Sequence, residues 1–91
     1  MSPQYREEMF DKISKIIEET GSNDATYDSY KKAQDVLDVL EGLLSYAIYT
    51  TSISPETVRD SCEQSYVNIK KNALKMINKE LSEKGKINPD Q

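Results

Sequence analysis

Three carboxylate clusters carry the only residues dense enough for acid–base or metal chemistry: Glu7 with Glu8, Glu18 with Glu19, and Asp35 with Asp38. A metal site between helices needs inward carboxylates from several helices, commonly joined by histidine at Glu-x-x-His spacing. The chain has no histidine, and at helical periodicity all three clusters fall on polar faces. They read as solvated surface. Serine and tyrosine hydroxyls lack a neighbouring base to activate them. The three glycines are scattered, so no loop is built to cradle a phosphate. No catalytic, cofactor-binding or metal-binding residue is expected, and neither is an enzyme or a small-molecule substrate.

Cys62 is the single cysteine, so a disulfide within one chain is excluded. A lone thiol suits a reducing compartment and is expected as a small core residue. Lys71, Lys75 and Lys79 form an i, i+4, i+8 row with Lys70 beside it, and no acidic residue lies between Gln64 and Lys79. The favoured reading is a soluble face near a helix C-terminus. The alternative is a basic strip for an acidic partner or for lipid headgroups. Tyr46 and Tyr49 stand at the edge of an apolar arc. There they serve either as rim packing or as interface anchors, apolar in the ring and polar at the tip.

The elements that hold these residues follow from spacing. The first helix is predicted from about Pro3 to Thr20, with Ser2 as cap and Tyr5, Met9, Phe10, Ile13, Ile16 and Ile17 on one face. Gly21 to Asn23 breaks it, and Asp24 or Thr26 is placed to cap the next. A second helix is predicted over about 25–50. Its apolar residues run from Ala33 and Val36 through Leu40 and Leu43 to Ile48. They cover an arc of roughly 180°, enough for two neighbouring helices. Ser54-Pro55-Glu56-Thr57 is a strong helix start. The third helix is predicted over about 55–84, with a main stripe of Val58, Cys62, Tyr66, Ile69, Ala73, Met76 and Ile77. A polar tail, residues 85–91, follows. The expected fold is all-α: one domain, an antiparallel up-down-up three-helix bundle with a long third helix.

Composition narrows the functions. Net charge is −4, divided as −5 over residues 1–45 (five Lys/Arg against ten Asp/Glu) and +1 over residues 46–91 (seven against six). Nucleic-acid binding, which usually leaves a basic footprint, is not expected. No apolar run approaches the ~18 residues of a membrane span, and no signal-peptide pattern opens the chain. A cytoplasmic location is expected.

Helix lengths locate a working surface. At 1.5 Å per residue the three helices measure roughly 27, 39 and 45 Å. The first reaches along the second only to about Leu44. The hairpin end from Ser45 to Ser65 is then uncovered on one side, lined by Tyr46, Ile48, Tyr49, Ile53, Val58 and Cys62. An uncovered apolar surface marks a partner or self-association.

The chain also resembles a known family: the small cytosolic immunity proteins that protect producers of class IIa, pediocin-like bacteriocins. The likeness covers about residues 5–75. It lies in Met9-Phe10-Asp11-Lys12-Ile13, in the polar linker leading to Val36-Leu37-Asp38-Val39-Leu40-Glu41, and in the helix start Pro55-Glu56. That family has four helices, whereas here one long third helix replaces two. The resemblance implies a protein partner, a membrane-protein receptor, protected through a helical surface near the C-terminal half. Two other protein-binding readings stand beside it. One is a phage- or plasmid-type inhibitor or regulator of a host complex. The other is a homodimeric secretion chaperone or adaptor.

Overall fold

The computed structural model of the chain describes residues 3–85, which form three α-helices and no strand. They are α1 (Pro3–Glu19), α2 (Ser29–Thr51) and α3 (Pro55–Gly85). The expected Ser2 cap and the residues beyond Gly85 lie outside the described part. α3 is unbroken between Val67 and Lys75, so the departure from a four-helix pattern stands. The chain divides into two compact units, with the junction between Leu44 and Ser45. That is where the reach of α1 along α2 is expected to end.

The first unit is α1, the loop after it and the first four turns of α2. Gly21 ends α1 with φ of 70°, the left-handed region that glycine enters without steric cost. The Tyr27 ring lies where a Cβ on Gly21 would stand. Lys32 Nζ donates to the Glu18 carbonyl at 3.0 Å, satisfying one of the orphan acceptors at the end of α1. Asp24 closes a turn by accepting from Thr26 N at 2.9 Å and Thr26 Oγ1 at 2.6 Å. These two bonds, the side-chain one first, hold its carboxyl below the ordinary range.

α2 therefore starts later than predicted. Its cap is Asp28, whose Oδ1 accepts from Lys31 N at 2.8 Å, rather than Asp24 or Thr26. Asp24 is diverted because Thr26 sits two residues on, the spacing of an Asx turn. Tyr27 Oη donates to Asp35 Oδ2 at 2.6 Å, tying the loop to α2. That bond, with lesser help from desolvation and the Asp35 charge, raises the phenol above its ordinary range.

The second unit is the last two turns of α2 and all of α3. Thr51 Oγ1 donates to the Ala47 carbonyl at 2.9 Å, and Ser52 Oγ donates to the Ile48 carbonyl at 2.7 Å. These hydroxyls close the end of α2. α3 opens as predicted, with Ser54 as cap: Thr57 N donates to Ser54 Oγ at 3.2 Å. Thr57 Oγ1 in turn accepts from Ser54 N at 3.0 Å. This is a reciprocal capping box with threonine in the place usually held by Glu or Gln.

Burial departs most from expectation. Among the described residues Ile48 alone is buried, at 9% exposure. Ile17, Tyr27, Lys32 and Val36 are half-buried in the first unit. In the second unit the half-buried residues are Ser52, Ser54, Thr57, Ser61 and Ser65. The shielded side of α3 is thus Thr57-Ser61-Ser65, one residue before the predicted stripe. Cys62 is exposed, not a core residue. Small hydroxyl side chains allow close approach of helices, and Ile48 supplies the apolar volume.

Candidate protein-binding surfaces

The predicted site residues fall into two groups. At the hairpin end Tyr46 and Tyr49 are 67% and 71% exposed. They stand three residues apart on α2, so both project from one side. Their ring centroids are 6.3 Å apart at an interplanar angle of 42°, a tilted pair within the favourable range for aromatic contact. Ile53, in the turn before the Ser54 cap, is 93% exposed. Val58 and Cys62 are exposed as well. Ile48 must be removed from this surface: it faces inward and is covered. The second group, Lys71, Lys75 and Lys79, is an exposed row on α3. Lys70 is set apart from it, its Nζ 5.7 Å from the centroid of the Tyr66 ring in cation–π geometry.

The sequence did not single out one concave feature of the first unit. Between α1 and α2, wholly within the first unit, lies an open groove of about 240 Å³. Its floor is Ile13, Ile16 and Ile17 from α1, and Val36, Val39, Leu40 and Leu43 from α2. Thr20, Tyr27, Lys32 and Asp35 close one end. Ile16 remains 63% exposed and Leu43 54%. Each residue was legible as one face of an amphipathic helix. The missing signal was the packing of α1 on α2, because periodicity marks the apolar face of each helix and not the gap left along their seam.

The carboxylates of the three acidic clusters are exposed. Among the described residues no group of three or more His, Cys, Asp or Glu side chains is placed to hold a metal ion. No described helix is long and apolar enough to cross a membrane. No family model, curated protein or solved structure matches the chain.

Proposed function

We propose that this chain is a small, non-enzymatic protein-binding protein of the immunity type, acting in the cytoplasm through the end of the α2–α3 hairpin. Its three helices run up-down-up, and the partner is a protein, with a membrane receptor favoured by the resemblance. The observation that carries the proposal is the exposed Tyr46–Tyr49 pair, with Ile53 also exposed in the turn after α2. Exposed aromatic rings clustered with an aliphatic side chain are the usual anchors of a protein interface. The non-enzymatic part rests on the donor set, which offers neither an activated nucleophile nor a histidine base.

The test is affinity capture from the native host with the unaltered chain and with Tyr46→Ala/Tyr49→Ala. One protein retained by the first and lost by the second, with melting unchanged, supports the proposal. Equal retention by both moves the working surface elsewhere. A stability loss above ~3 kcal/mol, the size seen when large buried side chains are truncated, would make the rings structural. Lys71, Lys75 and Lys79 changed together to Gln provide the companion test. Lost binding with unchanged melting identifies a functional strip, and no change in either identifies a solvated face.

A further inference from the structure

Over residues 66–79, α3 carries its charge and its apolar surface on separate sides. At ~100° per residue, Tyr66, Val67, Ile69, Leu74, Met76 and Ile77 fall within an arc of roughly 180°. Each is 45–71% exposed. Lys71, Lys75 and Lys79 occupy the opposite side with Asn68, Asn72 and Asn78, in an arc of roughly 120°. The stretch holds four Lys and no Asp or Glu, a net +4, in a chain whose net charge is −4. Glu80, paired with Lys84 at 3.8 Å, marks its end. Lys70 differs in placement: it lies inside the apolar arc, with its Nζ 5.7 Å from the centroid of the Tyr66 ring.

We propose that residues 66–79 form an interfacial helix that docks on an anionic lipid bilayer. The apolar arc enters the boundary between headgroups and acyl chains, and the lysines stay among the headgroup phosphates. A lysine-rich polar face backing an apolar one is the pattern such a surface selects. Lys70 favours lipid over a seam between helices. At a bilayer boundary its stem can lie among acyl chains while the ammonium rises to the phosphates. Between packed helices the same ammonium would be enclosed by apolar side chains, where a charge without a partner is costly. Tyr66 suits headgroup level, since its ring is apolar and its hydroxyl polar. The segment is ~21 Å long, short of the ~30 Å hydrocarbon core, and no described helix is long and apolar enough to cross a membrane. It would therefore lie along the surface. This docking goes beyond protein capture by the tyrosine pair and uses other residues.

The experiment is co-sedimentation of the full chain with phosphatidylcholine vesicles, with and without phosphatidylglycerol. Binding is expected only where phosphatidylglycerol is present, and raising salt should weaken it. Lys71, Lys75 and Lys79 changed together to Gln should weaken it about a hundredfold, at roughly fivefold for each lysine. Insertion of the apolar arc has its own readout. The chain has no tryptophan, so Tyr66→Trp places a single indole on that arc, and its emission should shift to the blue when anionic vesicles are added. No binding, equal binding to neutral vesicles, or unchanged binding by the glutamine variant would overturn the proposal. An emission that vesicles leave unshifted would overturn it too. If already blue in the free chain, it would place the cover in the chain itself or in a second copy. If red throughout, it would mean adsorption by charge alone. The exchanged side chains are exposed, so helicity by circular dichroism should be unchanged. Should the glutamine variant lose helix, the salt dependence of the unaltered chain tests the charge in its place. Tyr46→Ala/Tyr49→Ala leaves residues 66–79 unaltered, so protein capture and lipid docking fail separately.

Discussion

At residue scale, four positions carry burdens that differ in kind. Gly21 holds φ of 70° under the Tyr27 ring. Gly21→Ala should lose about 1–2 kcal/mol from the left-handed backbone alone, and more from displacing the ring, as read by thermal melting. Ile48 is the one buried side chain among the described residues. Ile48→Ala should cost about 2–5 kcal/mol, whereas Ile53→Ala, at a 93% exposed position, should leave melting unchanged. The same comparison separates structure from recognition at the hairpin end, since Ile53→Ala is expected to weaken only binding. Tyr27 adds a pH dependence. Its hydrogen bond to Asp35 uses the neutral phenol and raises the folded pKa above the unfolded one. That contribution is complete below the ordinary tyrosine range and is lost as pH rises through the raised value. Ultraviolet titration should find Tyr27 ionising above the ordinary phenol range, and Tyr27→Phe should abolish that step.

At element scale, the helices were legible and their faces were only partly so. Pro3, Gly21 and Ser54-Pro55 are local signals that act within a few residues, so the ends they govern were found from sequence. The start of α2 was misplaced because two aspartates compete for one role. Asp24 is taken by Thr26, which leaves Asp28 to cap. The shielded side of α3 was missed for another reason. Periodicity marks where large apolar residues lie, and here the close side is built from Thr57, Ser61 and Ser65, which carry no hydropathy signal. The groove was hidden because periodicity gives the apolar face of each helix but not the gap that α1 and α2 leave along their seam. The caps make a sharp test. Ser54→Ala removes the acceptor for Thr57 N and should cost about 1 kcal/mol. Gly42→Ala should act in the opposite direction. Gly42 sits within α2 with open space where a Cβ would stand, so alanine should stabilise by about 0.5–1 kcal/mol. Melting of both variants checks the assigned cap and the exposed side of α2.

At the scale of the whole molecule, the question is where the free energy of folding comes from. In proteins most helical stability comes from covering an amphipathic face rather than from the helix alone. Ile48 is the one buried side chain among the described residues; if a second copy covers the exposed apolar side chains, association adds to the stability of the fold. Stability then follows mass action. A tenfold rise in protein concentration should stabilise such a dimer by about 1.4 kcal/mol, so melting followed by circular dichroism should move upward with concentration. A melting temperature independent of concentration over two decades would show that one copy stabilises itself. The exposed groove and the exposed face of α3 would then need a covering other than a second copy.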